Sequence, residues 1–174
     1  VACPATESEL PEASVPTHGY EVVSRLRFDR ANFTQGLEIF DGRLYVSSGL
    51  YGESIIRVYD FPGMDEIQAV PVDPRIFAEG LTVIDNRLVV LSWRERVMLW
   101  YSLSDLSFLG QSALPGQGWG ATHLGSTLWF SDGSHYLYSA EINGDGRLTQ
   151  LPVTLKGRPL RNLNELEWVN GCLL

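Results

Sequence analysis

Apolar and polar residues alternate in short runs along this chain, and the runs come in pairs around two-residue turns. Leu37-Glu38-Ile39-Phe40 meets Asp41-Gly42 and continues into Leu44-Tyr45-Val46, with Ile55-Ile56-Arg57-Val58-Tyr59 following. Asp-Gly between alternating apolar residues is a strong hairpin signal, because both turn residues accept positive φ. The same grammar returns as Leu128-Trp129-Phe130, then His135-Tyr136-Leu137-Tyr138, a turn at Asn143-Gly144-Asp145-Gly146, and a closing strand predicted over Leu148 to Leu155. Between Tyr20 and Leu174 no segment keeps a helical period over three turns. The chain is predicted to be all-β.

The strands belong to an internal repeat. Gln35-Gly36-Leu37 precedes Asp41-Gly42-Arg43-Leu44, and Glu79-Gly80-Leu81 precedes Asp85-Asn86-Arg87-Leu88. Trp119-Gly120-Ala121 precedes Gly125-Ser126-Thr127-Leu128, and Asn164-Glu165-Leu166 precedes Asn170-Gly171-Cys172-Leu173. The copies start 44, 40 and 45 residues apart, a spacing that suits four-stranded β-propeller blades and not ankyrin or leucine-rich repeats. The innermost strand of a blade lines the central channel, so the residue entering it sits at the channel mouth. Gln35, Glu79, Trp119 and Asn164 occupy that point and are expected to converge on one pocket. The fourth repeat stops inside its second strand, so the chain reads as about three and a half blades, cut short.

Composition narrows the possible partners. With 13 Lys+Arg against 21 Asp+Glu the net charge is −8, and the basic residues are scattered, which argues against nucleic acid. The longest apolar stretches, such as Leu88-Val89-Val90-Leu91, fall far below a bilayer span. Residues 1–18 hold three prolines and no hydrophobic period, so they read as a flexible leader, with a propeller domain over 19–174 starting near Tyr20. The opening Val1-Ala2-Cys3 resembles the end of a bacterial lipoprotein cleavage box, which would make Cys3 a lipid anchor. An incidental cysteine in a polar tail is the preferred reading, because the charged and apolar parts of a signal peptide are missing. A Cys3–Cys172 disulfide is open but not favoured. His18, His123 and His135 share no metal-ligand spacing, and strand-packing or surface roles are favoured for them.

Seven motifs run in order through the chain: Phe33-Thr34-Gln35-Gly36-Leu37, Ser48-Gly49-Leu50-Tyr51-Gly52-Glu53-Ser54, Phe77-Ala78-Glu79-Gly80-Leu81, Leu91-Ser92-Trp93, Gly118-Trp119-Gly120, Ser131-Asp132-Gly133-Ser134 and Leu163-Asn164-Glu165-Leu166-Glu167. Together they resemble the glutamine cyclotransferases, the plant and bacterial type of glutaminyl cyclase, from about Tyr20 to the last residue. That resemblance implies a five-bladed propeller that converts the N-terminal glutamine of a peptide or protein into pyroglutamate with loss of ammonia, without a catalytic metal or other cofactor. It also implies a periplasmic or secreted location. The pocket it implies contains Phe33, Gln35, Glu79, Trp93, Trp119 and Asn164. A tryptophan expected beyond Leu174 and a lysine of the final blade are absent, and Gln117 stands where the family usually has Glu.

The chemistry assigned to these residues follows from the reaction. The substrate's α-amine attacks its own δ-carboxamide, so the amine must lose a proton and the departing nitrogen must gain one. Glu79 is the candidate carrier, with burial beside aromatic walls moving its pKa toward working pH. The amides of Gln35 and Asn164 are candidate oxyanion donors; Phe33, Trp93 and Trp119 would hold the glutamine side chain curled. Each has a plainer reading: a solvated carboxylate for Glu79, blade packing for the tryptophans, loop ties for Gln35 and Asn164. Asp132-Gly133-Ser134 reads as a structural turn, and Glu165 and Glu167 as structural. Two other functions compete. A calcium-dependent propeller hydrolase would need more oxygen ligands than the one carboxylate in register. A non-catalytic secreted propeller would bind a peptide or protein partner at its mouth.

Overall fold

The computed structural model describes residues 19–174, and among them every regular element is a β-strand. Strands β1 (Thr34–Phe40), β2 (Arg43–Ser48), β3 (Ile55–Asp60) and β4 (Glu66–Pro71) form the first sheet in that order. β5 (Ala78–Ile84), β6 (Arg87–Ser92), β7 (Val97–Ser102) and β8 (Phe108–Ala113) form the second. β9 (Ala121–Leu124), β10 (Thr127–Ser131), β11 (Tyr136–Glu141) and β12 (Thr149–Pro152) form the third. Two short pairs follow, β13 (Thr154–Leu155) with β14 (Arg158–Pro159), and β15 (Trp168–Val169) with β16 (Cys172–Leu173). The first strands of successive sheets are neighbours, β1 beside β5, β5 beside β9 and β9 beside β15. The architecture is that of propeller blades: three four-stranded sheets and the opening hairpin of a fourth.

The hairpins form where the turn residues demand them. Asp41 and Gly42 have φ of 48° and 70°, Asp85 and Asn86 51° and 56°, and Asn170 and Gly171 50° and 80°. Positive φ at both central residues is the turn whose twist matches the flanking strands. Alternation then sorts side chains between the two faces of each blade. In β6, Leu88 and Val90 join Tyr45, Ile56 and Val58 of the first blade, while Val89 and Leu91 join Leu128 and Phe130 of the third. Both faces of β6 are therefore dry, which is why its sequence is an unbroken aliphatic run. Each such side chain, fully buried, contributes about 1.5–3 kcal/mol. A smaller cluster of Leu137, Leu166 and Leu173, flanked by Trp129 and Trp168, joins the third blade to the fourth hairpin.

Two expectations are corrected. The closing strand does not run from Leu148 to Leu155: β12 ends at Pro152, and Lys156 and Gly157, with φ of 50° and 71°, turn the chain into the separate β13–β14 hairpin. Lys156-Gly157 is itself a turn signal, overlooked because the apolar pattern runs up to it. Sheet pairing begins at Thr34, and ahead of it Phe28 already packs on Tyr59 at 5.5 Å between ring centroids. Cys172 is disulfide-bonded rather than free. The leader, His18 and the lipid-anchor reading of Cys3 lie outside the described residues.

Candidate active site

The channel mouth is built by a backbone irregularity repeated from blade to blade. In the first blade Thr34 pairs with Ser48 and Gly36 with Ser47, leaving Gln35 as the extra residue of a β-bulge. In the second, Ala78 pairs with Ser92 and Leu81 with Val90, so Glu79 and Gly80 fall within the irregular stretch. A bulge bends its strand and re-aims the side chain it carries. Trp119 and Asn164 lie just ahead of β9 and β15.

The glycine after the register position is explained by proximity. A Cβ on Gly36 would lie 2.6 Å from Leu81 N and 2.9 Å from Gly80 Cα. One on Gly80 would lie 2.8 Å from Ala121 N, and one on Gly120 2.6 Å from Glu165 Cα. Neighbouring inner strands touch backbone to backbone here, leaving no room for a side chain. Hydrogen bonds fasten the same points: Ser47 Oγ donates to Glu79 O, Gly80 N to Trp119 O at 2.7 Å, and Ser131 Oγ to Asn164 O at 2.9 Å. The four register positions thus stand side by side along one wall.

Glu79 is the distinctive group on that wall. It is only 7% exposed, and its carboxylate has no hydrogen-bond partner among the described residues. Its pKa is raised to about 7, first by burial and then by the negative charge of Glu95. Aromatic rings gather beside it around Phe77: Phe33 at 6.3 Å, Tyr51 at 5.5 Å and Trp93 at 5.4 Å between centroids. Phe33 is about half exposed, a ring with one free side. Trp119 stands on the third-blade side, donating from Nε1 to Gln117 Oε1 at 3.0 Å, and its ring lies against Gly133. The amides of Gln35 and Asn164 have no hydrogen bonds within the described residues. Asn164 does tie the blade, but through its backbone carbonyl.

Glu38 and Glu165, carboxylates near the channel, differ from Glu79 in having backbone donors. Glu38 accepts from Val83 N at 2.7 Å, and burial raises its pKa to about 7 against the opposing pull of hydrogen bonds from Thr82 and Val83. Glu165 belongs to a solvent-exposed segment, yet its carboxyl reaches the first blade and accepts from Leu37 N at 3.2 Å. Glu167 is raised by burial. His123 Nδ1 lies 3.0 Å from Thr82 Oγ1 and 3.9 Å from Glu38, and burial lowers its pKa. The Asp132-Gly133-Ser134 turn has its expected bonds, Ser134 N to Asp132 Oδ1 and Tyr136 N to Ser134 Oγ. Its close fit under Trp119 was not anticipated. Sequence reasoning also passed over Tyr51, Phe77 and Glu95. The first two lie inside the quoted motifs, whereas Glu95 carries no local signal. Clefts on the blade flanks, such as one of about 320 Å³ lined by Ile76, Leu99, Tyr101 and Phe108, contain no register residue.

Comparison with known proteins agrees with the propeller fold. The family described as glutamine cyclotransferase matches residues 1–174, the length of the chain. The chain belongs to that family. A glutaminyl-peptide cyclotransferase of Arabidopsis thaliana is 36% identical over 155 residues, covering 87% of this chain and 48% of that protein. The crystal structure of Myxococcus xanthus glutaminyl cyclase superposes with a TM-score of 0.72 at 29% identity, covering 82% of this chain and 60% of that one. The chain therefore spans about half to three fifths of the length of these glutamine cyclotransferase relatives. The WD40 repeats of RRP9 match at a TM-score of 0.56 with 11% identity over 72% of the chain, a likeness of fold alone.

Proposed function

We propose that this protein is a glutaminyl-peptide cyclotransferase acting on N-terminal glutamine, with Glu79 as its proton carrier. The observation that carries the reading is a buried carboxylate at a bulged strand entrance, beside aromatic rings, without a protein hydrogen-bond partner. Structural carboxylates in the same channel, Glu38 and Glu165, accept backbone N–H groups. Glu79 is left for a substrate.

In this reading Glu79 takes a proton from the α-ammonium, and the freed amine attacks the side-chain Cδ, closing a five-membered lactam. The carbonyl oxygen becomes an oxyanion, which the unengaged amides of Gln35 and Asn164 are suited to receive as donors. The proton held by Glu79 passes to the amide nitrogen, the C–N bond breaks as the carbonyl re-forms, and the second proton of the attacking nitrogen goes through Glu79 to the departing ammonia, which leaves as ammonium. A carboxyl with a pKa of about 7 suits both transfers near neutral pH. Phe33, Trp93 and Trp119 hold the side chain folded toward the amine, which makes the reaction effectively unimolecular. Internal glutamines lack the nucleophile and are not substrates.

We place the protein in the periplasm or outside the cell, and a disulfide at Cys172 supports an oxidising compartment. Cys3 is the only other cysteine, and a sulfur paired in a disulfide with Cys172 cannot also carry the thioether of a lipid anchor, so the two proposals for Cys3 exclude each other. Intact mass measurement decides between a lipid and a disulfide at that sulfur. The domain assignment, a leader over 1–18 and a propeller domain from 19, stands as part of the same proposal.

The test is incubation of a Gln-leading peptide with wild-type protein and Glu79→Gln, reading the mass loss of ammonia. Lost acid–base catalysis lowers the rate about 10²–10⁴-fold, while the folded variant still binds the peptide. Near wild-type turnover in Glu79→Gln removes Glu79 from the mechanism. Binding without turnover by the wild type favours a peptide-binding propeller instead.

A further inference from the structure

Glu95 lies in the turn between β6 and β7, and Tyr51 in the turn between β2 and β3. These turns belong to different blades, and they meet at the mouth: Tyr51 Oη donates to Glu95 Oε1 at 2.8 Å. The other carboxylate oxygen, Oε2, accepts a longer bond of 3.4 Å from Phe77 N. Both oxygens of Glu95 are therefore engaged, one by the first blade and one by the backbone two residues ahead of Glu79. Phe77 is fixed from its other sides as well. Its carbonyl accepts from Trp93 N at 3.0 Å, and its ring closes on Gly49 so tightly that a Cβ there would lie 2.6 Å from Cζ. The Tyr51 ring meets the Phe77 ring near its edge, at 5.5 Å and 68°.

An exposed Tyr–Glu hydrogen bond contributes little to stability by itself. Its position gives it another use. We propose that Tyr51 and Glu95 form a positioning pair that locks Phe77 and the entrance of β5, so that the unpartnered Glu79 carboxylate is held toward the substrate amine. The proposal rests on the cyclotransferase reading of the site. Neither residue touches the reacting atoms in this arrangement; both act through Phe77 and through charge.

The charge gives the pair a signature that packing alone would not. Glu79 is faced by Glu95 and Tyr51 from the rim and by Glu165 from the fourth repeat, and the neighbouring cation Arg94 sits over the Trp93 ring at 3.7 Å. Burial first, and then the negative charge of Glu95, keeps Glu79 from ionising early. Removing the Glu95 charge makes Glu79 a weaker base that ionises at lower pH.

The experiment uses the full chain with ¹³C-carboxyl-labelled glutamate, the Glu79 signal being assigned by its loss in Glu79→Gln. The Glu79 titration midpoint and the pH profile of kcat/KM for a Gln-leading peptide are followed in wild type, Glu95→Gln and Tyr51→Phe. In Glu95→Gln the midpoint and the acid limb move together to lower pH, and kcat/KM above the limb drops about tenfold. Tyr51→Phe keeps the ring and the charge, so KM rises several-fold while the midpoint shifts less. Glu95→Asp, which restores charge but not reach, returns the midpoint and not the full rate. An unmoved Glu79 midpoint in Glu95→Gln overturns the pair, as does an unchanged KM in Tyr51→Phe if Glu95→Gln fails to fold. Should wild type bind but not cyclise the peptide, the function falls while the titration still judges the pair.

Discussion

At the scale of single residues, the decisive contrast is between Glu38 and Glu165, which have backbone donors, and Glu79, which has none. Glu79 is buried with its oxygens unengaged. A base must be ionised to act, and burial has raised Glu79 to about 7. The expected outcome is a kcat/KM that climbs through about pH 7 and falls tenfold per unit well below it, measured with a Gln-leading peptide and corrected for titration of the substrate's own α-amine at about 7.7–8.0. Gly133 provides a second test. Its φ is 77°, and a Cβ would stand 2.6 Å from the Trp119 ring. Gly133→Ala therefore displaces that ring and raises KM more than it lowers kcat, with loss of packing of about 1–3 kcal/mol. Steady-state kinetics alongside urea denaturation separates the two effects.

Among elements, the inner strands of neighbouring blades are set by what is missing from them. Gly36, Gly80 and Gly120 let β1, β5, β9 and the approach to β15 meet at backbone distance, and none of the three has positive φ. Gly80→Ala and Gly120→Ala are expected to force the blades apart and destabilise by about 1–3 kcal/mol or more, read as a lower urea midpoint. A matching substitution at Gly42, where nothing lies within 4 Å but φ is 70°, acts by strain alone and has a smaller effect, about 1 kcal/mol. The same close approach places the bulged residues side by side. Moving a blade outward therefore costs activity as well as stability.

For the molecule as a whole, the channel collects negative charge that folding partly desolvates. Glu38, with a side chain 11% exposed, and Glu79 are both raised from 4.5 to about 7, and Glu165 and Glu167 shift the same way. A carboxyl with a raised folded pKa prefers its neutral form in the native state. Its contribution is fully present below the unfolded pKa of about 4.5 and is lost as pH rises through about 7. Stability is thus expected to decline between pH 5 and 8, by an amount on the order of 2–3 kcal/mol for Glu38 alone. Glu38→Gln should flatten that decline and leave stability near pH 4 almost unchanged. Denaturation curves across the range check it.

Much of this was legible in the chain itself. Hairpins at Asp41-Gly42 and Asp85-Asn86, the period-two sorting of β6, and the repeat that puts Gln35, Glu79, Trp119 and Asn164 in register all arise from short-range rules. Turn chemistry acts over two residues and strand alternation over a handful. The closing strand was misjudged where those local signals conflicted, an apolar run continuing past the end of β12 at Pro152 up to the turn at Lys156-Gly157. What only the tertiary structure decided involves residues far apart in sequence: the Tyr51–Glu95 bond between blades, Glu165 reaching Leu37, and the fit of Gly133 beneath Trp119. Desolvation of Glu79 belongs to the same class, because its burial depends on neighbours supplied by separate blades. The sequence by itself determined where the strands turn and which acid stands at the mouth. The packing of distant blades decided that this acid lacks a partner and titrates near neutrality, since hydrogen-bond satisfaction and loss of water depend on which groups meet in space.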